Sequence, residues 1–419
     1  MMDIREAVRV KAQAAHDVAG ALAVVPTEVK NCALLAMAEA LVAQKSQILE
    51  ANTKDMLNAQ AKGMRTSMQD RLKLTDARIE AMAEGLRQVA ALNDPVGEIL
   101  SDKTLLNGLN VRKVRVPLGV VAMIYEARPN VTADAIGLAL KTGNAVVLKG
   151  GSEALYSNEA IANILREAAL SKGIPGAAVQ FIEITDRQAV TELIRMNGLV
   201  DVAIPRGSAR LIQAVLQNAT VPVIETGAGV CHTFVDASAD CEMARKIAIN
   251  AKVQRPSVCN AMETLLVHKD IADRFMPAML EDFFKAGVTI YGCEKTQRFD
   301  ARVMAASQED WATEYGDLRL SVKIVDGLEE ALAHIAHYGT KHSECIVTED
   351  QNNAQCFQAM VDAAAVYVNA STRFTDGFEF GFGAEIGIST QKLHARGPMA
   401  LPELTSYKYL INGRGQIRG

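Results

Sequence analysis

No apolar run in this 419-residue chain approaches the roughly 18 to 20 residues that a membrane-spanning helix needs. Its charged amino terminus, MMDIREAVRVKAQ, carries no apolar signal stretch either, so the expectation is a cytoplasmic protein with no membrane partner. Neither sign of charge dominates. Lys and Arg number 44 against 49 Asp and Glu, a net charge of −5, which leaves no global positive field to hold nucleic acid. Cysteine is present without a pattern: Cys32, Cys231, Cys241, Cys259, Cys293, Cys345 and Cys356 include no CxxC pair. That excludes an evident disulfide framework or structural zinc site, so any special cysteine would be a reactive one. Low complexity and internal repeats are also missing, and no GxGxxG fingerprint follows a strand.

What is there is the composition of a folded globular protein, 49% hydrophobic and 22% charged, in a length that allows two or three domains. Residues 1 to about 95 are alanine-rich, with apolar positions such as Leu34, Met37 and Leu41 at helical spacing. LNGLNVRKVRVPLG (106–119) then alternates charged and apolar residues after an Asn107-Gly108 turn, the signature of a hairpin, and SYKYLIN near the carboxy terminus is a strand that could pair with it. From 119 to about 225, GVVAMIYE, NAVVLKG, AVQFIE, VDVAIP and VPVIE alternate with helical stretches, which predicts a parallel sheet covered on both faces. A second alternation spans 226–367. The fold class is therefore α/β: a doubly wound cofactor domain (1–105 and 119–225, with 368–404), an α/β catalytic domain (226–367), and a small oligomerisation hairpin (106–118 and 405–419).

Chemistry is suggested first by VQRPSVCNAMETLLV, where Cys259 lies between a helix and a strand. A thiolate is the strongest neutral-pH nucleophile among side chains but needs nearby positive charge to ionise, and Arg255 stands four residues before it. Read alone, an inert buried cysteine is the commoner meaning. Glu225 ends a strand in PVIETGAGVCH, as a base or as a solvated carboxylate. LKGGSEA (148–154) and PRGSARL (205–211) each place small residues at a helix start, where backbone N–H groups favour phosphate, or they are ordinary tight turns. His334, His337 and His342 form Hx2Hx4H, but Tyr338-Gly339-Thr340 interrupts the helix, which argues against a metal site. His232 beside Cys231 points to the opposite face of its strand and reads as structural.

The strings VPLGVVAMIYEARPNVTADA, KTGNAVVLKGG, IPRGSARL, NAKVQRPSVCNAMETLLV, AVYVNASTRFTDG and STQKLHARGPM, in this order from residue 116 to about 399, resemble the aldehyde dehydrogenase superfamily, and within it the branch that reduces an acyl phosphate. The resemblance implies that Cys259 is the nucleophile, that Lys149 holds the adenosine ribose end of the cofactor, and that Gly207 and Ser208 form the turn beneath its pyrophosphate. It further implies Asn130 and the Cys259 backbone N–H as the oxyanion hole, Asp317 as a ribose-binding carboxylate, and Glu225 at the position of the general base used by hydrolytic members. Ser152 stands where enzymes preferring NAD commonly carry a glutamate, so the expected cofactor is NADP(H).

The activity implied is reduction of L-glutamyl 5-phosphate, in proline biosynthesis, through a Cys259 thioester. Arg128, Arg255 and Arg373 are the candidates for binding the α-carboxylate and phosphoryl group of that substrate, with cofactor and substrate expected to meet in a cleft between domains. A homo-oligomer is expected, and glutamate 5-kinase, whose domain is absent from the sequence, is a partner the labile substrate invites. Two rivals remain: a non-phosphorylating aldehyde dehydrogenase in which Glu225 activates water, and a catalytically silent binding protein on the same fold. Phosphate dependence separates the first, and selective thiol reactivity of Cys259 the second.

Overall fold

The helical spacing of residues 4–91 resolves into five helices in a computed structural model that describes residues 3–418. These are α1 (Ile4–Leu22), α2 (Thr27–Ala43), α3 (Lys45–Ala61), α4 (Thr66–Leu72) and α5 (Asp76–Ala91). Leu34, Met37 and Leu41 of α2 and Ile79 of α5 are wholly buried, each such side chain contributing roughly 1.5–3 kcal/mol. Among the described residues no single helix is long and apolar enough to cross a membrane. The described chain divides into two compact units: unit 1 holds residues 3–226, 381–387 and 399–418, and unit 2 holds 227–380 and 388–398.

In unit 1 the helices lead into an antiparallel hairpin of β1 (Ile99–Thr104) and β2 (Asn110–Pro117), with Thr104 opposite Asn110. The hairpin thus begins at residue 99, before the expected 106, because its turn takes in Leu105–Leu109 closed by the Leu105 N–H on the Leu109 carbonyl. There follow β3 (Val120–Tyr125), α6 (Asn130–Lys141), β4 (Ala145–Gly150), α7 (Leu155–Leu170), β5 (Val179–Phe181), α8 (Gln188–Leu193), β6 (Val202–Arg206) and α9 (Ala209–Asn218). The four strands form one parallel sheet in the order β5-β4-β3-β6. Every residue of β3 and β4 is buried, as expected of strands covered on both faces. VPVIE does not extend this sheet beyond one bridge between Ala203 and Val223: Pro222 has no N–H to donate, and the N–H groups of Thr220 and Val221 are taken by the Ile194 carbonyl.

Unit 2 runs through β7 (Cys231–Val235), α10 (Cys241–Val253), β8 (Met262–His268), α11 (Lys269–Lys285), β9 (Thr289–Gly292), α12 (Glu294–Gln297), β10 (Met304–Ala305), β11 (Arg319–Val325), α13 (Leu328–Tyr338), β12 (Ser343–Val347), α14 (Gln351–Met360) and β13 (Ala365–Val368). A short antiparallel pair, β14 (Ile388–Ser389) and β15 (Gly397–Pro398), completes it. Its seven-stranded parallel sheet has the order β10-β9-β11-β8-β7-β12-β13. Alternate residues of β8 face opposite cores: Leu265 and Val267 pack with Phe275, Met276 and Met279 of α11, whereas Leu266 packs with Phe234, Ile335 and Phe357.

The chain ends in unit 1 with β16 (Thr405–Asn412), antiparallel to β2 from Thr405 opposite Pro117 to Asn412 opposite Asn110, which makes a three-stranded sheet β1-β2-β16. The segment 368–404 differs from expectation, since 368–380 and 388–398 cluster with unit 2. The physical reason is polar anchoring. The Asn260 side chain donates to the Thr375 carbonyl at 2.8 Å, and Lys392 and Arg396 pair with Asp362 at 3.0 and 2.6 Å.

Candidate active site

The residues assigned by sequence fall in two groups, one in each unit. In unit 1 the carboxyl ends of β3, β4 and β6 lie side by side, with Tyr125 in register with both Gly150 and Arg206. The loops that follow begin with Glu126, Gly151 and Gly207, so Lys149, Ser152, Gly207 and Ser208 are brought to one edge of the sheet. This is where doubly wound sheets bind nucleotides. Lys149 is 5% exposed, and its Nζ donates to the Gly150 carbonyl at 2.8 Å. Burial holds its pKa below the usual lysine range, opposed by the charge of Glu153. Ser152 is exposed at the start of a single turn of 3-10 helix.

Ser208 caps α9, its hydroxyl accepting from the Leu211 N–H. A Cβ at Gly207 would lie 2.6 Å from Glu126 Oε2 and 2.9 Å from Leu211 Cδ2, so a side chain here would push both of these side-chain ends aside. Glu126 Oε2 accepts from the Ser208 N–H at 2.7 Å. A carboxylate thus stands at the amino end of α9, the place where a phosphate oxygen would be received, and marks that N–H group as an anion donor. A buried cation, an exposed hydroxyl and this helix terminus together fit a phosphate-bearing nucleotide.

The link from β3 to α6 is strained. Ala127 has φ 37°, a left-handed conformation that costs a non-glycine residue roughly 1–2 kcal/mol, and its N–H is fixed by Glu153 Oε1 at 2.7 Å. Arg128 follows, half-buried. Asn130 opens α6, exposed, with its amide donating to Asp134 Oδ2 at 3.1 Å. Burial pushes Asp134 up to about 6, against the opposing charge of Arg206. Glu225, partly exposed, is also in unit 1.

In unit 2, Cys259 lies in the loop between α10 and β8, before the strand, at the amino-terminal edge of the sheet. It is partly exposed, and no cysteine in the chain forms a disulfide. The backbone around it is tightly packed. A Cβ at Gly229 would overlap the Cys259 carbonyl oxygen, and the buried Cys231 thiol, at the start of β7, donates to that same oxygen at 3.2 Å. The Gly229 N–H is held by Glu314 Oε1 at 2.9 Å. Behind the loop, Lys252 and Glu263 form a wholly buried ion pair at 2.5 Å; burial pushes the lysine down and the carboxyl up to about 7. The second oxygen of Glu263 receives the Gly316 N–H at 3.1 Å.

Arg373 is drawn to the same loop, although 114 residues from Cys259 by its number. Its Nε donates to Gln254 Oε1 at 2.9 Å and its Nη1 to Asn260 Oδ1. Arg255 is exposed on that loop. Unit 2 thus brings Cys259, Arg255 and Arg373 together. Asp317 lies elsewhere in unit 2, just before β11, with both carboxylate oxygens accepting from Arg319 Nε. Of the three clustered histidines, His334 packs edge-on against Trp311 and His232, and among the described residues no His, Cys, Asp and Glu group could hold a metal. His232 pairs with Glu344 at 3.0 Å in the buried sheet.

Glu126, Gln254 and Asn260 were not singled out from sequence. Glu126 lies within the quoted string at EARPN, and Gln254 and Asn260 within VQRPSVCN; their polar side chains beside turn residues were the only signal. Asn260 makes its bonds to residues 112 to 115 positions away, which local pattern does not reveal.

The aldehyde dehydrogenase family model matches residues 2–292, more than half of the chain. The chain therefore belongs to the aldehyde dehydrogenase family, whose members work with a nicotinamide cofactor. Within that family, its full-length relatives include gamma-glutamyl phosphate reductases. One from Caldanaerobacter subterraneus is 60% identical over 98% of this chain and 99% of its own length, and one from Moorella thermoacetica is 58% identical over 100% of both. The crystal structure of gamma-glutamyl phosphate reductase from Thermotoga maritima is 49% identical, covers 98% of this chain and 100% of its own, and superposes with a TM-score of 0.97.

Proposed function

We propose that this chain catalyses the NADPH-dependent reduction of L-glutamyl 5-phosphate to L-glutamate 5-semialdehyde and phosphate, a step of proline biosynthesis. The observation that carries the reading is the nucleophile loop itself, Cys259 flanked by Arg255 and crossed by Arg373, in a chain 58–60% identical to gamma-glutamyl phosphate reductases over its full length.

The Cys259 thiolate attacks the γ-carbonyl carbon, the C–O bond to phosphate breaks, and a thioester remains. Phosphate is a good leaving group, so protonation of it contributes little. A bound nicotinamide cofactor supplies the hydride that reduces this thioester. The oxyanion that develops at the former carbonyl is received by the Cys259 backbone N–H, a preorganised donor of the kind typically worth about 3 kcal/mol. Collapse of the thiohemiacetal then releases the aldehyde and restores the thiolate. Asn130, assigned to the same oxyanion, donates one amide hydrogen to Asp134 and keeps its second N–H for another acceptor. Glu225 has no deacylating water to activate, because phosphate is the group exchanged at the thioester.

Lys149, Ser152, Gly207 and Ser208 are the residues that would hold the cofactor, and the lysine with an exposed hydroxyl supports NADP(H) over NAD(H). Arg128, Arg255 and Arg373 supply cations for the two anionic groups of the substrate. The reading also assigns a homo-oligomer built on the β1-β2-β16 sheet and a supply of acyl phosphate by glutamate 5-kinase. It is tested by following NADPH absorbance during oxidation of L-glutamate 5-semialdehyde: turnover that requires inorganic phosphate supports it, and turnover indifferent to phosphate overturns it.

A further inference from the structure

Arg373 is tied to both ends of the nucleophile segment. Gln254 and Asn260, its two hydrogen-bond acceptors, bracket Arg255 and Cys259 in sequence, so the guanidinium lies across the stretch that carries them. Asn260 is itself immobilised. It is 3% exposed, its amide donates to the carbonyls of Thr375 and Arg373 at 2.8 and 3.4 Å, and its carbonyl accepts from Thr372 Oγ1 at 2.7 Å. One asparagine therefore fixes the backbone of 372–375 and the side chain that projects from it.

The resulting arrangement lays the Arg373 guanidinium across the stretch that carries Arg255, near enough for the two charges to act on each other. Among the described residues, neither Arg255 nor Arg373 forms an ion pair with a carboxylate, unlike Arg115, Arg245, Arg302 and Arg396. Asp376 acts on Arg373 only through space, one of its oxygens being spent on the Phe378 N–H. Burial and the neighbouring Arg255 charge both hold Arg373 below the usual arginine range. Like charges held in each other's field are unfavourable unless an anion joins them, and a guanidinium fork is matched to phosphate oxygens. In an acyl phosphate the phosphoryl group is bonded through one oxygen to the carbon that the thiolate attacks, so its binding groups must adjoin the nucleophile.

We propose that Arg255 and Arg373 form the subsite for the phosphoryl group and that Asn260 is the positioning residue that holds Arg373 there. This rests on the function proposed above. In the forward reaction the pair receives the negative charge that develops on phosphate as the C–O bond breaks. In reverse it holds inorganic phosphate while a phosphate oxygen forms the C–O bond, the C–S bond breaks, and the electron pair returns to Cys259 as thiolate.

The test varies inorganic phosphate during NADP-linked oxidation of L-glutamate 5-semialdehyde. Arg373→Ala should raise KM for phosphate at least about tenfold and Asn260→Ala about three- to tenfold, with KM for the semialdehyde moving less than about twofold and Arg373→Lys recovering part of the loss. In parallel, phosphate should slow alkylation of Cys259 by iodoacetamide in the wild type and fail to do so in Arg373→Ala. Should Arg373→Ala not fold, the exposed Arg255→Ala carries the same expectation. An unchanged KM for phosphate with a raised KM for the semialdehyde, or phosphate protection that survives loss of either arginine, overturns the subsite while leaving the parent reading intact. Wild-type turnover independent of phosphate overturns both.

Discussion

At the scale of single residues, the NADP(H) preference proposed above turns on Lys149, Ser152 and Glu153. The 2′-phosphate that separates NADP from NAD is repelled by a carboxylate and held by a cation. The one carboxylate next to Ser152, that of Glu153, is turned onto the Ala127 N–H at 2.7 Å. Ser152→Glu should therefore weaken NADPH by about 1–2 kcal/mol, roughly tenfold, and NADH far less, while Lys149→Ala should erase most of the preference, both read from kcat/KM with each cofactor. A wild type at least as efficient with NADH would contradict this. A second residue-scale expectation concerns His334, which is 4% exposed and pushed down to about 3 by burial and by the charges of His232, Lys323 and His337. Below pH 6.5, the ordinary value, the unfolded chain takes up a proton here that the folded chain refuses. The contribution of neutral His334 is thus complete above pH 6.5 and is lost as pH falls toward 3. Between pH 7 and 5 the wild type should lose on the order of 2 kcal/mol more than His334→Phe in urea unfolding, since each pH unit is worth about 1.4 kcal/mol. Parallel pH profiles would show that the buried imidazole does not titrate as described.

Among elements, the sheet β1-β2-β16 carries large apolar side chains exposed on both of its edge strands. Tyr407, Tyr409 and Ile411 of β16 are 50–60% exposed, as is Ile99 of β1 at 52%, and such edges invite a partner strand. Deleting the last 15 residues removes β16 together with the tail beyond it and should shift the protein toward monomer in sedimentation; an unchanged assembly state would place the interface elsewhere. Apart from β1 and β10, which are exposed along nearly their whole length and show no apolar period, the strands of this sheet and of the two parallel sheets were legible because their apolar periods are local. Cys259 and Arg255 were legible with them, as neighbours within one string. Two longer-range features were not legible either. The segment 368–398 belongs partly to each unit, a division set by Asn260 and Asp362 bonding across more than 30 positions. VPVIE has the composition of a strand, but proline and competing bonds to Ile194 leave it with a single bridge.

For the whole molecule, the division of labour follows from which strand ends carry which residues. Unit 1 carries Lys149, Ser152, Gly207 and Ser208 at the carboxyl ends of β3, β4 and β6, and unit 2 carries Cys259 before β8, at the amino-terminal edge of its sheet. The net charge of −5 leaves an anionic substrate dependent on local cations, and in the function proposed above Arg255 and Arg373 meet that need in unit 2. The central claim is that Cys259 carries the acyl group between hydride transfer and phosphate. Its most direct measurement is intact-mass analysis of the protein mixed with L-glutamate 5-semialdehyde and NADP, acid-quenched before and after addition of phosphate. The account predicts one glutamyl adduct per chain, mapped to Cys259, discharged by phosphate, and absent in Cys259→Ser, whose turnover should fall below about 1% because a serine hydroxyl is scarcely ionised at neutral pH. An adduct that persists in Cys259→Ser, or turnover with no adduct in the wild type, would contradict it.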